Sequence, residues 1–276
     1  SFRFVADRLD QLTDIGYSMT GFTKDKVEGN WQLSNQRVLL KGIDRSGKST
    51  THNGGRLAIG PDGKLWVSLG DAGMRASTSQ SWDRLGGSIL RLNLDGSVPD
   101  DNPHKGSFIW AKGLRDTQGM AWDNYGNMWT TEFGQDSWDE LNLLQKGKNY
   151  GWPLVSYAVN YDGVPIASPD TRPDLAKPVI YWTPVLAPGN LMFYTGNAFP
   201  AWKGNLFVGS AQYGEVRGTG HLQRVVLNQQ FEDVRRERLL DDLHQRVRDV
   251  REGPDGNIYV LTDQEVGALL KIEPAQ

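Results

Sequence analysis

The chain has no cysteine, which excludes disulfide bonds, thiolate zinc sites and a cysteine nucleophile. It also lacks any apolar run near the ~18 residues that a membrane-spanning helix requires, and its first residues do not show the charged-then-apolar pattern of a signal peptide. No block rich in lysine or arginine occurs, and the formal net charge is only −3. These absences argue against nucleic acid and anionic membranes as partners and favour a small neutral or weakly polar ligand.

Glycine and tryptophan are abundant instead, with 32 and 10 copies in 276 residues. Many turns combined with large, half-buried rings are typical of a protein built from many short strands. A chain of this length can bury the core of one large domain. We therefore predict an all-β protein that forms a single domain over residues 1–276.

One local pattern recurs four times: a turn with glycine, a polar residue, and alternating apolar residues that end at a small or acidic one. Each copy predicts a hairpin, because such a turn needs glycine at a positive φ and the residues after it have strand periodicity. The turn glycines are Gly63, Gly126, Gly204 and Gly256. Further strands are predicted in segments 30–43, 87–96 and 221–240, and helices are expected to be scarce.

Similar hairpins separated by long, unequal insertions are typical of a β-propeller whose loops are elaborated on one face. A β-sandwich is the alternative that the pattern leaves open. A propeller blade takes roughly 40–50 residues, so the chain before Ser49 supplies only about one blade. We expect either a small ring or a ring that lacks part of its N-terminal blade in this chain.

His52 and Asp71 are candidates for acid–base chemistry. If residues 57–59 and 65–69 are paired strands, the two side chains emerge at the same end of one hairpin. A carboxylate bound to one imidazole nitrogen fixes the tautomer and raises the basicity of the other nitrogen, as a general base requires. The alternative is that His52 caps a turn while Asp71 binds loop amides.

Three arginines are candidates for binding an anionic ligand. Arg115 stands in a glycine-flanked loop before a predicted strand, where its guanidinium can hold a carboxylate or quinone oxygen. A solvated surface charge is the alternative. Arg246 and Arg248 alternate along a predicted strand and so point to one face, which suits a clamp for a polyanion. Salt bridges to the nearby Asp241, Asp242 or Asp249 are the alternative.

An acidic segment over residues 130–153 is a candidate site for a hard cation. Calcium prefers carboxylate and backbone oxygens, and the segment is rich in both, although it lacks the regular spacing of an EF-hand loop. Its characteristic residues are Glu132, Gly134, Asp136, Asp139, Glu140 and Gly151. A loop of Asx turns is the alternative.

Six motifs, taken in order, resemble those of a known family. They read HNGGRLAIGPDGKLWVSLGDAG, LGGSILRLNLDGSVPDDNP, GLRDTQGMAWD, EFGQDSWDELNLLQKGKNYGWP, FPAWKGNLFVG and RVRDVREGPDGNIYVLTD. From about Val38 to its C-terminus the chain resembles the soluble quinoprotein glucose/sorbosone dehydrogenases, and within them the bacterial aldose sugar dehydrogenases.

The resemblance implies a six-bladed β-propeller that holds pyrroloquinoline quinone (PQQ) on a calcium ion at its central top face. His52 then matches the base that takes the proton from the sugar C1 hydroxyl while hydride passes to the quinone, and Asp71 matches the carboxylate that orients this base. Arg115 matches the arginine near the reacting quinone oxygen, where it stabilises developing negative charge. Arg246 and Arg248 match the pair that grips the cofactor's carboxylates.

The resemblance also implies metal ligands. The backbone carbonyls of Gly134 and Gln135 match the ligands of the cofactor-bridging calcium, which polarises the quinone as a Lewis acid. Glu140 and the carbonyl of Tyr150 match a further, structural calcium site. The implied reaction converts an aldose to its lactone and passes electrons to a separate acceptor, in a periplasmic or secreted enzyme.

Two implied cofactor-binding positions depart from the family pattern. Gln212 stands where a lysine is usual, and Asp116 stands where asparagine is usual. The first change removes a positive charge and the second adds a negative one near a cofactor that carries carboxylates, so both lower the expected affinity. A cofactor-free propeller that binds a glycan or protein partner is therefore a second hypothesis. A calcium-dependent lactonase-type hydrolase is a third, although the arginine pair would have no task in it.

Overall fold

The computed structural model describes residues 2–7, 17–27, 30–44 and 51–275. These residues form eighteen strands and one short α-helix, α1 (Ala76–Ser79). The strands are β1 (Phe2–Asp7), β2 (Tyr17–Val27), β3 (Asn30–Ile43), β4 (Gly54–Ile59), β5 (Leu65–Leu69), β6 (Ser88–Leu92), β7 (Ile109–Lys112), β8 (Thr117–Trp122), β9 (Met128–Glu132), β10 (Asp139–Leu144), β11 (Ile180–Trp182), β12 (Pro188–Phe193), β13 (Leu206–Ser210), β14 (His221–Leu227), β15 (Asp233–Leu239), β16 (Val247–Glu252), β17 (Ile258–Thr262) and β18 (Leu269–Ile272). The predicted all-β class is confirmed.

The strands form five antiparallel sheets, each made of strands that follow one another in the chain. The sheets are β1–β3, β4–β7, β8–β11, β12–β15 and β16–β18. The first strands of four sheets form a row, because β4 packs against β8, β8 against β12, and β12 against β16. Sheets that radiate from such an inner row are propeller blades, so a sandwich of two sheets is not what these residues form.

The four predicted hairpin turns are confirmed, and the glycines in them are required by backbone conformation. Gly63 between β4 and β5 has a φ of 70°, and Gly126 between β8 and β9 has a φ of 83°. A Cβ at either position would meet no atom within 4 Å. The left-handed backbone, and not lack of space, therefore favours glycine at these turns.

Three of the four hairpin turns are tied to the strand after them by an aspartate. The carboxylate at the turn accepts a hydrogen bond from the ring N–H or O–H of an aromatic residue in the next strand, at distances of 3.0 to 3.1 Å. The pairs are Asp62–Trp66, Asp123–Trp129 and Asp255–Tyr259. This contact explains why the repeat contains both an acidic turn and an aromatic residue.

The hydrophobic core lies between neighbouring sheets in four layers. The middle strands β5, β6, β9 and β13 are buried along their whole length. Apolar side chains fill both faces of such strands, as is usual when a sheet is covered on both sides. The inner strands are thereby held in fixed positions, and the loops at their ends meet over the centre of the row.

Candidate active site

His52 and Asp71 meet at the end of the β4–β5 hairpin. The predicted pairing is present, with Leu57 opposite Val67 and Gly54 opposite Leu69. His52 Nδ1 lies 2.8 Å from Asp71 Oδ1, and the Asp71 side chain is fully buried while that of His52 is 21% exposed. Asp71 therefore orients the imidazole from the protein interior, and part of the imidazole remains accessible to solvent.

The backbone around this pair is packed without spare room. The Ala72 N–H donates to the His52 carbonyl at 3.0 Å, and the Asp71 N–H donates to the Arg115 carbonyl at 2.8 Å. A Cβ at Gly70 would lie 2.0 Å from the His52 carbonyl oxygen. Only glycine allows this close approach of two backbone segments, so Gly70 helps to fix where His52 stands.

Asp71 also binds a tryptophan that the sequence did not single out. The Trp152 indole N–H donates to Asp71 Oδ2 at 2.8 Å, and the Gly73 N–H donates to Asp71 Oδ1 at 2.7 Å. Burial by itself raises the pKa of Asp71, but the hydrogen bonds from His52, Trp152 and Gly73 outweigh it and lower that pKa. Asp71 therefore presents a carboxylate to His52 at neutral pH.

Arg115 is buried beside this pair and is not a solvated surface charge, since it is only 3% exposed. Its guanidinium donates to the Phe133 carbonyl at 3.2 Å and to the Tyr161 hydroxyl at 2.9 Å, and it lies over the Trp152 ring at 5.4 Å. Its Nε is buried without a partner among the described residues. Arg115 also lines the neighbouring cavity, where its guanidinium fits an anionic ligand or a quinone oxygen.

A cavity of about 530 Å³ opens over these residues. Its walls carry the imidazole of His52, the guanidinium of Arg115, several carboxyl groups and an amide. They include Thr51, His52, Arg115, Asp116, Gly134, Asp136, Asp139, Tyr161, Gln212 and Glu215. A cavity of this volume accommodates a cofactor-sized ligand, and its carboxyl groups suit a cation held next to that ligand.

Asp116 lies in this cavity near the imidazole. Its Oδ1 accepts a hydrogen bond of 3.0 Å from the Gly54 N–H. Burial raises the pKa of Asp116, and the nearby His52 and Arg115 partly oppose this increase. Burial at this position therefore makes ionisation of Asp116 more costly than it is in water.

Gln212 and Arg246 line a second cavity, of about 680 Å³, and Gln212 borders both cavities. Arg246 Nε donates to Asp263 Oδ1 at 2.6 Å, and Arg248 Nε lies 4.0 Å from Asp263 Oδ2. The two arginines do converge, but on Asp263, which is not one of the aspartates named as alternatives. The Gln212 side-chain amide donates to the Gly214 carbonyl at 2.9 Å, within its own loop.

The residues implied as ligands of the bridging calcium lie at the same end of the sheets. Gly134 lines the cavity that contains His52, and its N–H donates to Asp139 Oδ1 at 3.0 Å. The Gln135 carbonyl accepts a hydrogen bond of 2.7 Å from the Ser137 N–H, and its side chain accepts one of 2.8 Å from Arg75. Burial raises the pKa of Asp139 to about 6 although three backbone N–H groups oppose the increase.

A second oxygen-rich cluster lies deeper, between β9 and β10. Glu132 and Glu140 are directly opposite each other across the two strands, and Asn142 Nδ2 lies 3.5 Å and 3.4 Å from their carboxyl groups. Burial raises the pKa of both glutamates, and each lies beside a further acidic side chain that adds to the increase. The Asn142 Oδ1 is buried without a partner in the part of the chain described. Two carboxyl groups and a free amide oxygen fit a calcium ion.

The side chain of Tyr150 makes its hydrogen bonds outside this cluster. The Tyr150 hydroxyl accepts from the Gln145 N–H and donates to the Leu143 carbonyl, and no hydrogen bond joins it to Glu140 within the described ranges. Glu140 belongs to strand β10 and not to a loop. No group of three or more histidine, aspartate or glutamate side chains suited to a metal ion occurs among the described residues, so a cation here would depend on amide and backbone oxygens as well.

Comparison with known proteins defines the family. The model of the Glucose / Sorbosone dehydrogenase family matches residues 16–271, and the chain belongs to this family. A protein of Escherichia coli, Aldose sugar dehydrogenase YliI, is 40% identical over 99% of this chain and 72% of its own length. An uncharacterized protein of Synechocystis is 41% identical over 88% of this chain and 60% of its own length.

A solved structure has the same fold. The PQQ-bound form of an aldose sugar dehydrogenase from Streptomyces coelicolor superposes with a TM-score of 0.73 at 28% identity, covering 93% of this chain and 72% of that one. No helix in the described part of the chain has the length and apolar character needed to cross a lipid bilayer.

Proposed function

We propose that the protein is a PQQ-dependent dehydrogenase that oxidises the C1 hydroxyl of an aldose to the lactone. The observation that carries this proposal is the pairing of His52 with the buried Asp71 on the wall of a cavity that also contains Arg115. Support also comes from the E. coli relative, named as an aldose sugar dehydrogenase, and from the PQQ-bound Streptomyces structure.

His52 is the general base of the proposed reaction. Asp71 accepts a hydrogen bond from the Nδ1–H group of His52, so Nε2 of the neutral imidazole is unprotonated. Nε2 takes the proton of the C1 hydroxyl, and the ionised Asp71 stabilises the imidazolium that results. PQQ, when bound, supplies the two-electron acceptor for the hydride that leaves C1.

The cationic side chains hold and polarise the cofactor. Arg115 lines the cavity, and its guanidinium would stabilise the negative charge that develops on a quinone oxygen. Arg246, which lines the second cavity, and the neighbouring Arg248 would hold carboxylates of the cofactor, and Gln212 and Asp116 line the cavity that contains His52.

We further propose that calcium ions complete the site. The backbone carbonyls of Gly134 and Gln135 would hold one ion beside the cofactor, and Glu140 with the carbonyl of Tyr150 would hold a second, structural ion. The buried, mutually repelling Glu132 and Glu140 support the second ion, because a divalent cation relieves the cost of burying two carboxylates side by side.

The wider setting follows from the family. We propose a six-bladed propeller in one domain over residues 1–276, supported by the five sheets of the described residues. Electrons then pass to a separate acceptor, and the enzyme is periplasmic or secreted.

Reconstitution with PQQ and calcium tests the function. The purified protein should then oxidise aldoses with an artificial electron-accepting dye, and His52→Gln should lower kcat by roughly 100-fold or more while the absorbance of bound cofactor remains. Absence of both dye reduction and a cofactor spectrum in the parent protein would overturn the proposal.

A cofactor-free binding module is the second candidate, favoured by the Gln212 amide being engaged with Gly214 and by the acidic group at Asp116. Calorimetry distinguishes the two. No heat with PQQ and calcium, together with clear binding of an oligosaccharide, would support the module.

A further inference from the structure

The second cavity contains an arginine that the family comparison does not assign. The cavity is lined by Ala211, Gln212, Arg217, Gly218, Arg246 and Gln264. Arg217 is exposed, and within the described ranges its guanidinium makes no hydrogen bond or ion pair. Arg246, by contrast, is held by Asp263 at 2.6 Å.

The loop that carries Arg217 is braced. The Thr219 hydroxyl donates to the Val216 carbonyl at 2.5 Å and accepts from the Tyr213 N–H at 2.9 Å. A β-bridge also joins Tyr213 to Val216. These contacts close the loop immediately before Arg217. The backbone that carries this side chain is therefore held in a fixed position on the cavity wall.

The same loop explains why Gln212 is a poor substitute for a cation. Its amide nitrogen is used by the Gly214 carbonyl at 2.9 Å, and a neutral amide offers at most a weak contact to an anion. Arg217 lines the same cavity five positions later in the chain. A positive charge is therefore absent at position 212 but present on the neighbouring wall.

The charges around the cavity favour an anionic ligand. Two guanidinium groups, those of Arg217 and Arg246, line the cavity, and Asp263 pairs with Arg246 and lies 4.0 Å from a third guanidinium, that of Arg248. One aspartate cannot neutralise three guanidinium groups. Guanidinium groups bind carboxylates in a planar, two-pronged geometry, so a carboxylate is the ligand group that fits best.

We propose that Arg217 and Arg246 form a carboxylate-binding subsite, in which Arg217 supplies the positive charge that Gln212 does not. The occupant is a carboxylate of an aromatic polycarboxylic acid. The identification of this occupant with the cofactor rests on the proposed function, whereas the anion site itself does not.

Binding measurements with two probes test the subsite. Calorimetry is carried out with PQQ plus calcium, and with benzene-1,2,4-tricarboxylate, which carries carboxylates but no quinone. Arg217→Gln should weaken binding of both by roughly ten- to 100-fold, as expected for loss of a charge-assisted hydrogen bond. Arg217→Lys should retain most of the affinity. Arg172→Gln, which removes another exposed arginine, should bind as the parent does.

A charge relocation sharpens the test. The double variant Gln212→Lys/Arg217→Gln should bind both probes to within a few fold of the parent, because the ammonium group of the new lysine supplies the positive charge from position 212. Equal binding by the parent and Arg217→Gln would overturn the subsite, even if the parent oxidises aldoses with PQQ. Binding of the tricarboxylate but not of PQQ, lost on Arg217→Gln, would support the subsite and contradict the proposed function.

Discussion

The indole of Trp152 donates a hydrogen bond of 2.8 Å to Asp71, on the carboxylate oxygen that His52 does not use. The ring is also flanked by two guanidinium groups, Arg75 at 4.8 Å and Arg115 at 5.4 Å from its centre. Trp152 thus connects the carboxylate that orients the base with the arginine proposed to bind the quinone. It is a positioning residue, since it contacts both groups from behind the cavity.

Trp152→Phe tests this connection. The ring volume is largely kept, but Asp71 loses a buried donor, so its carboxylate holds the imidazole of His52 less firmly. We expect kcat to fall about tenfold, as when one buried hydrogen bond is lost, with little change in KM. The control is Trp182→Phe, which removes a buried indole N–H that has no partner among the described residues. A kcat equal to that of the Trp182→Phe control would show that Trp152 only packs behind the cavity.

Acid unfolding tests the charge of Asp71. Because the pKa of Asp71 is lowered in the fold, its contribution to stability is complete above its unfolded value of 3.8 and is lost as the pH falls through the folded value. Asp71→Asn should cost about 1–3 kcal/mol at pH 7, as for a buried hydrogen-bonded charge, and this difference should shrink at about pH 3. Urea unfolding at both pH values measures it. A difference that does not change with pH would contradict an ionised Asp71.

Calcium binding tests the cluster at Glu132 and Glu140. In the calcium-free protein these buried carboxyl groups have raised pKa values, so their ionisation is costly at neutral pH. Added calcium should raise the Tm of the parent by several degrees, which corresponds to ~2.7 kcal/mol at a hundredfold excess over Kd. Glu140→Gln should reduce this increase strongly, and the exposed Glu265→Gln should not. An unchanged calcium response in Glu140→Gln would remove Glu140 from the metal site.

Arg115→Lys tests the guanidinium next to the quinone position. Lysine keeps the charge but cannot contact Phe133 and Tyr161 while also offering a further N–H to the cavity. Dye-linked assays of the reconstituted enzyme should show kcat lowered by roughly 100-fold, as when an oxyanion donor is removed. Arg172→Lys is the surface control. A kcat within threefold of the parent would argue that Arg115 only packs the loop.

Gly70→Ala tests the steric basis of the His52 position. The new Cβ would lie 2.0 Å from the His52 carbonyl oxygen, so the histidine backbone must move. The free energy of unfolding should fall by about 1–3 kcal/mol. The decrease in kcat should be larger than the change in KM. Gly267→Ala, whose Cβ would lie 3.3 Å from the Thr262 carbonyl oxygen, should lower the free energy of unfolding far less and leave kcat unchanged. Full activity in Gly70→Ala would show that the base is not fixed by this contact.

Part of the fold and site was predictable because it depends on local pattern. Gly63 and Gly126 mark turns through their positive φ. The register of the hairpin formed by β4 and β5 then places His52 beside Asp71. The assignment of Arg115 to a buried position was open, because its burial depends on Phe133 and Tyr161, which are distant in the chain.

The all-β class, the four hairpins and the resemblance that names the candidate residues could be predicted from the amino-acid sequence, because turn chemistry, strand periodicity and motif order are properties of short segments. The partners of those residues depend on the tertiary fold. Trp152 contacts Asp71 from 81 positions away, and Arg246 pairs with Asp263 and not with the aspartates nearest in sequence. Such contacts arise where loops from separate sheets converge, and the relative placement of those loops is fixed by packing between the sheets, which no local pattern encodes.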